Sequence, residues 1–277
     1  MTTILNKLFP FATKRVSDPK ELWPKYINTY KSLFDKLIIF GFEFTNIENL
    51  YILAKFNSLS FEVRTAEEIY ILHEIYYQGC YNFNSSEQYC IIDIGLNVGL
   101  ASLYFANMPN VTQVYCFEPF LDTYKQAIKN FSYNKIASEK IVSFNYGLGG
   151  DNRELELEYC ESWKGSLGIN GLTNFKKDGN IITKEKVLIR DVNEVISEII
   201  VNQKEKLIFK IDCEGAEYEI LKRLKETDLL SVAKIYMIEW HFKGCKEIIE
   251  DFTTAGYNCV SLFYDNQVSG IIYAFKN

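Results

Sequence analysis

Two short segments in the second half of the chain combine carboxylates with a histidine. Asp212 and Glu214 follow one apolar run, and Glu239 and His241 stand at the end of the next. Because the carboxyl ends of parallel strands meet at one edge of a sheet, we expect the four side chains to lie together. Such a set could take a proton from a hydroxyl or an amine, orient a substrate or bind a divalent ion. Helix capping by Asp212 or Glu214 is the alternative that the sequence leaves open.

A turn rich in glycine follows an apolar run further upstream, in Asp93-Ile-Gly95-Leu-Asn97-Val-Gly99. Glycine lets the backbone approach a ligand where any side chain would collide. Glu118 ends the next apolar run and is placed like the acids that bind ribose hydroxyls. The turn is not the G-x-G-x-x-G fingerprint, since Asn97 occupies a glycine position, and this disfavours an oxidoreductase with a nicotinamide or flavin cofactor.

The elements that must position these residues are strands that alternate with helices. The predicted strands are residues 89–94, 113–117, 141–146, 207–211 and 235–240, and the predicted crossover helices are residues 99–107, 120–131, 216–226 and 245–255. Residues 257–263 and 270–275, joined by Asp265-Asn266-Gln267, predict an antiparallel hairpin. The fold class is therefore α/β, with a mostly parallel, Rossmann-like, seven-stranded sheet.

The segments outside this alternation are predicted to be a helical cap and a loop. Residues 1–58 are expected to form the cap, mainly through helices in residues 18–56, and residues 59–277 to form the catalytic domain, which would begin with a helix over residues 67–77. Residues 159–179 are rich in Gly, Ser, Asn and Lys and lack a clear period, which predicts a long irregular loop.

Composition limits the class of partner. A net charge of −6 and a pI near 5.2 disfavour nucleic acid, which is bound through a positive field. No run approaches the roughly 20 apolar residues of a membrane-spanning helix. The seven cysteines have no recurrent spacing, which favours reduced thiols and a cytoplasmic location. The oligomeric state stays open, a homo-oligomer included.

In their order along the chain, these motifs resemble the FkbM family of S-adenosylmethionine-dependent methyltransferases. The resemblance spans about residues 60–275. It rests on the glycine turn, on Phe117-Glu118-Pro119 and on Lys210-Ile-Asp212-Cys-Glu214-Gly-Ala-Glu217, of which the last is the most specific. Two positions depart from the family pattern: Leu96 stands where a small residue is more usual, and Cys213 where an aliphatic residue is.

The resemblance implies that S-adenosylmethionine is the cofactor and assigns the residues that hold it. Its methionine end would be surrounded by Asp93, Gly95, Asn97 and Gly99, and its ribose would be held by Glu118. Asp212 would face the sulfonium or the acceptor. From its place after the third strand, Asn145 could read the adenine edge, although an ordinary turn fits equally well. No metal ligands are assigned.

The family also implies methyl transfer to a hydroxyl, or an amine, of a small polar acceptor such as a sugar, a glycan modification or a secondary metabolite. Our hypothesis is that Asp212 or His241 takes the proton of the acceptor, that Glu214 and Glu239 orient it, and that the loop 159–179 covers the site. Two alternatives remain: a non-catalytic cofactor-binding or scaffold protein on the same fold, and N-methylation of an amino-acid-like moiety of a glycoconjugate.

Overall fold

The structure, a computed structural model, describes residues 24–48, 50–169, 171, 179–201, 203–263 and 269–276. The chain divides into two compact units, Met1–Cys80 and Tyr81–Asn277. In the described ranges no helix is both long and apolar enough to cross a membrane.

The N-terminal unit combines helices with a small antiparallel sheet. Its elements are α1 (Pro24–Phe40), β1 (Glu43–Ile47), β2 (Tyr51–Phe56), β3 (Leu59–Val63), α2 (Ala66–Leu72) and a π-helical turn (His73–Gln78). The expectation of helices as far as residue 56 is wrong beyond Phe40. Residues 43–56 bury Phe44, Ile52 and Ala54 at the alternating positions of strands, and the rings of Phe42 and Phe56 stack with centroids 4.6 Å apart.

The boundary between the units falls after this sheet. Strands β2 and β3 pair antiparallel from Ile52 opposite Val63 to Phe56 opposite Leu59. The boundary expected after residue 58 therefore lies between two paired strands, whereas the division between the compact units follows Cys80.

The C-terminal unit contains the larger sheet and the helices that cover it. Its strands are β4 (Tyr89–Ile94), β5 (Val111–Phe117), β6 (Ile141–Phe144), β7 (Gly147–Gly149), β8 (Arg153–Tyr159), β9 (Thr183–Asp191), β10 (Lys206–Ile211), β11 (Ala233–His241), β12 (Asn258–Phe263) and β13 (Ser269–Phe275). Its α-helices are α3 (Leu100–Ala106), α4 (Leu121–Tyr133), α5 (Lys135–Ser138), α6 (Val192–Ile200), α7 (Glu217–Glu226) and α8 (Lys246–Thr254).

Seven strands form one sheet in the order β12-β13-β11-β10-β4-β5-β6. The pairs between β11 and β6 are all parallel, and β13 runs antiparallel to both of its neighbours. All six residues of β4 are buried, as a strand covered by helices on both faces requires. The Rossmann-like fold predicted from the sequence is confirmed.

A second, three-stranded sheet of order β7-β9-β8 lies between β6 and β10 in the chain, and the sequence did not predict it. Strand β8 reads Arg-Glu-Leu-Glu-Leu-Glu-Tyr, which is the polar–apolar alternation of a half-buried strand. The expected loop 159–179 begins with a short 3₁₀ helix, Glu161–Ser166. Residues 170 and 172–178 of that loop, and the expected turn 265–267, lie outside the described residues.

Candidate active site

A cavity opens beyond the carboxyl ends of β4, β5 and β10. Its position is where open α/β sheets bind ligands. Five of the residues expected from the sequence line it: Gly95, Asn97, Glu118, Asp212 and Glu214. The cavity is thus the place at which both motifs meet.

The turn after β4 depends on glycine at residue 95. Gly95 has a φ of +90°, and a Cβ added there would lie 1.7 Å from the carbonyl oxygen of Asp212. Gly99, with a φ of +85°, instead packs on α4, where a Cβ would approach the Phe131 ring to 2.8 Å. Gly95 therefore shapes the cavity directly, and Gly99 shapes it through the packing of the turn.

Glu118 is a buried carboxylate, 6% exposed, in the wall of the cavity. Its two oxygens accept the backbone N–H groups of Asn97 at 2.9 Å and Phe120 at 3.0 Å. Burial raises the pKa of Glu118 to about 7, although these two hydrogen bonds lower it. Each carboxylate oxygen keeps a second lone pair, so Glu118 can also accept hydroxyl groups of a ligand.

A buried ion pair lies beneath the turn. Asp93 is fully buried and accepts a hydrogen bond from Ser102 at 2.6 Å. Lys210 Nζ lies 3.1 Å from Asp93 Oδ1, 3.6 Å from Asp212 Oδ2, and donates to the Gly95 carbonyl at 2.6 Å. Burial opposes the charge of Lys210, but the two carboxylates hold its pKa above the usual value. Asp93 is not among the residues that line the cavity, so it supports the turn from below.

The role of Lys210 was not predicted from the sequence, although the residue lies in the family motif. Its signal was a single lysine inside the apolar run Leu-Ile-Phe-Lys-Ile. A lysine is almost never fully buried without a partner, so this position calls for an anionic neighbour.

Asn145 connects the ends of two strands. Its amide group donates to the carbonyl oxygens of Glu118 at 2.9 Å and Pro119 at 3.2 Å. It is not among the residues that line the cavity, and its contact with adenine stays a prediction.

The acids at the ends of β10 and β11 converge with His241, as the sequence led us to expect. Ligand atoms of Asp212, Glu239 and His241 all lie within 4.8 Å of one another. His241 Nε2 lies 3.7 Å from Glu239 Oε1 and 3.8 Å from Glu214 Oε1. Tyr81 donates a hydrogen bond of 3.4 Å to Asp212 Oδ2. The cluster thus borders the cavity through Asp212 and Glu214.

Glu217, at the start of α7, was missed as a candidate although it lies in the quoted motif. It is fully buried and accepts the backbone N–H groups of Gly215 and His241, both at 2.7 Å. Its Oε1 also lies 3.3 Å from His241 Nδ1. Burial opposes the charge of His241, but Glu217, Glu239 and Glu214 raise its pKa to about 11. Burial, followed by the charge of Asp212, raises the pKa of Glu239.

Five residues in the described part of the loop after β8 line the cavity, residues 164, 165 and 167–169. Lys164 donates to Gln126 Oε1 at 2.6 Å and to Glu161 Oε1 at 2.7 Å, which fixes the 3₁₀ helix to α4. A Cβ at Gly168 would lie 2.1 Å from the carbonyl oxygen of Glu214. The loop therefore approaches the backbone of the acidic motif closely.

The parallel sheet, the glycine turn and the strand-end acids define a methyltransferase with a Rossmann-like fold. The family model described as the methyltransferase FkbM domain matches residues 93–259, and the chain belongs to this family.

Three known proteins illustrate the similarity. The chain is 26% identical over 212 residues to methyltransferase sdnD of Sordaria araneosa, covering 69% of this chain and 82% of that one. It is 24% identical over 172 residues to methyltransferase 1 of Beauveria bassiana (strain ARSEF 2860), covering 57% of this chain and 68% of that one. The crystal structure of an FkbM methyltransferase from Methylobacillus flagellatus KT is similar with a TM-score of 0.45 and 15% identity. That match covers 72% of this chain and 46% of the other, so the chain spans less than half of that protein.

Proposed function

We propose that this chain transfers the methyl group of S-adenosylmethionine to a hydroxyl, or an amine, of a small polar acceptor such as a sugar, a glycan modification or a secondary metabolite. The observation that carries the proposal is the cavity in which the Gly95 turn, the buried Glu118 and Asp212 meet. When bound, the cofactor supplies a methyl group that its positively charged sulfonium already activates.

The residues present fit this cofactor. Gly95 lines the cavity, and its lack of a side chain lets the turn lie against the Asp212 carbonyl oxygen. Asn97 Oδ1 is buried and has no hydrogen-bond partner among the described residues, so it is available to a donor on the ligand. Glu118 can accept the ribose hydroxyls, while Asp93 and Gly99 maintain the turn. In this proposal Asn145 stays the candidate for the adenine edge.

On the acceptor side, the proposal assigns proton removal to Asp212 or, once it has lost its own proton, to His241, and orientation to Glu214 and Glu239. The support is their convergence beside the cavity, with His241 held from behind by Glu217. Alignment of the acceptor with the methyl group is the main task of the protein in a direct displacement. The loop segment 164–169 would exclude water from this side.

Charge and cysteine state support the class of acceptor and the compartment. The net charge of −6 supports a small acceptor over nucleic acid. All seven cysteines are free thiols, which supports a cytoplasmic location.

The test is calorimetric titration of the full chain with S-adenosylmethionine and S-adenosylhomocysteine. Micromolar affinity is expected, weakened in Glu118→Gln and unchanged in Glu250→Gln, an exposed acid on α8. Release of S-adenosylhomocysteine is then measured with glycosides, hydroxylated metabolites and amino sugars as acceptors. Absence of binding to folded protein would overturn the proposal. Binding without turnover on every acceptor would favour the non-catalytic scaffold, and turnover on amines alone would favour N-methylation.

A further inference from the structure

The cluster of Asp212, Glu239 and His241 has the composition and the spacing of a metal site, and we infer that it binds a first-row divalent cation such as Mn²⁺. Its ligands would be one oxygen of each carboxylate and His241 Nε2. The three residues come from the ends of the neighbouring strands β10 and β11, so the sheet itself positions them.

The distances suit a common ion. Two ligand atoms that each lie about 2.1 Å from one metal are separated by about 3.0–4.2 Å, depending on the angle between them. The Nε2 atom of His241 lies 3.7 Å from Glu239 Oε1, and all three ligand atoms lie within 4.8 Å of one another. Small side-chain rotations would therefore bring the three ligands to coordination distance.

His241 directs Nε2 towards the two glutamates of the cluster. Its side chain is 9% exposed, and Nε2 lies 3.7 Å from Glu239 Oε1 and 3.8 Å from Glu214 Oε1. On the opposite side of the ring, Glu217 Oε1 lies 3.3 Å from Nδ1. Histidines that bind metals commonly donate the ring N–H that faces away from the ion to a carboxylate, and Glu217 is the carboxylate placed on that side, at ion-pair distance.

Carboxylates are concentrated around His241. Glu214 and Glu239 face its Nε2, Glu217 faces its Nδ1, and Asp212 lies beside Glu239 and His241. Lys210 lies 3.6 Å from Asp212, but it also pairs with Asp93. The side chains of Glu214 and Glu239 are only 17% and 18% exposed, so water offsets little of this repulsion. A divalent ion would offset part of it, because coordination by Nε2 releases the imidazolium proton of His241 and so adds one net positive charge.

The donor set narrows the class of ion. Carboxylate oxygens suit Mg²⁺ and Mn²⁺, and an imidazole nitrogen shifts the preference towards first-row transition metals. The role of the ion rests on the proposed function. The ion would stand beside Asp212 and Glu214 at the cavity and coordinate a hydroxyl of the acceptor, and it would lower the pKa of that hydroxyl. The proton of the acceptor would then pass to Glu214 or to solvent, because Asp212 and His241 would be occupied as ligands.

In the experiment, the full chain is titrated with Mn²⁺ alone. Binding is measured as the loss of the electron paramagnetic resonance signal of the free ion. Saturable binding is expected, at least tenfold weaker in Glu239→Gln and in His241→Gln, and unchanged in the exposed control Glu250→Gln. Thermal unfolding gives a second measurement: Mn²⁺ should raise the Tm of the wild type and of the control, and raise it less in the two ligand variants.

Two results would overturn the inference. One is the absence of saturable binding up to about 1 mM Mn²⁺ in folded protein. The other is binding that the two ligand variants leave unchanged. Neither result affects the cofactor proposal, because no cofactor is present in this experiment and cofactor binding is measured separately without metal.

Discussion

The affinity for S-adenosylmethionine should depend on pH through one carboxyl group, that of Glu118. Burial raises the pKa of this group to about 7 in the free protein. Its ionised form accepts two hydroxyl hydrogen bonds, whereas its protonated form loses one acceptor position and becomes a donor. A ligand that offers two hydroxyl donors therefore selects the ionised form, and its binding should strengthen as pH rises through about 7.

The size of the effect follows from that pKa. If the ligand binds only the ionised form, the apparent dissociation constant is multiplied by one plus the ratio of protonated to ionised carboxyl. With a pKa of about 7, the factor is about 11 at pH 6 and about 1.1 at pH 8. Affinity should thus fall about tenfold between pH 8 and pH 6, which corresponds to about 1.4 kcal/mol.

The assay is calorimetric titration at several values of pH, on the wild type and on Glu118→Gln. The glutamine variant should bind more weakly and lose this pH dependence, since its amide does not titrate in this range. Subtracting its profile also removes titration of the ligand itself. Equal affinity of the wild type at pH 6 and pH 8, or an unchanged profile in the variant, would refute the assignment of Glu118 to the ribose.

Three further substitutions test other parts of the site. Gly95→Ala adds a Cβ only 1.7 Å from the Asp212 carbonyl oxygen and should lower the free energy of unfolding by about 3 kcal/mol and weaken cofactor binding. Denaturant unfolding measures the first effect and calorimetry the second. Unchanged stability and affinity would contradict the close approach. Lys210→Met leaves Asp93 buried and unpaired and should destabilise by about 3–5 kcal/mol, and adding Asp93→Asn should restore part of this loss in the same assay. Gly168→Ala should displace the loop from the Glu214 backbone and speed its cleavage in limited proteolysis, so a cleavage rate equal to that of the wild type would count against the contact.

The large sheet was predictable because its strands are nearly continuous apolar runs. Strand β4, for example, begins and ends where the sequence placed it, at Tyr89 and Ile94. The small sheet was missed although Glu154, Glu156 and Glu158 alternate with apolar residues, which is the pattern of a half-buried strand. In the N-terminal unit, the helical spacing of α1 was extended into residues 43–56, whose pairing as strands depends on contacts with β3.

The candidate site was partly predictable for a similar reason. The strand-end rule placed Asp212, Glu239 and His241 together, since it depends only on strand direction. Lys210 and Glu217 were passed over because their role lies in the partners that burial gives them, Asp93 for the lysine and the His241 backbone for the glutamate. A single sequence shows that a residue is charged, but it does not show which residue it contacts in the fold.

The place of β13 in the sheet has a consequence for the order in which the protein can fold. This strand is synthesised after β11 and β12 but lies between them, with Ser269 opposite His241 and Gly270 opposite Trp240. During translation, β11 therefore has a parallel neighbour on one side only, and its other edge stays unpaired until the residues of β13 have been added. A ribosome that stalled before Ser269 would hold a chain in which the strand carrying Glu239 and His241 is an open edge, the form most exposed to pairing with another chain.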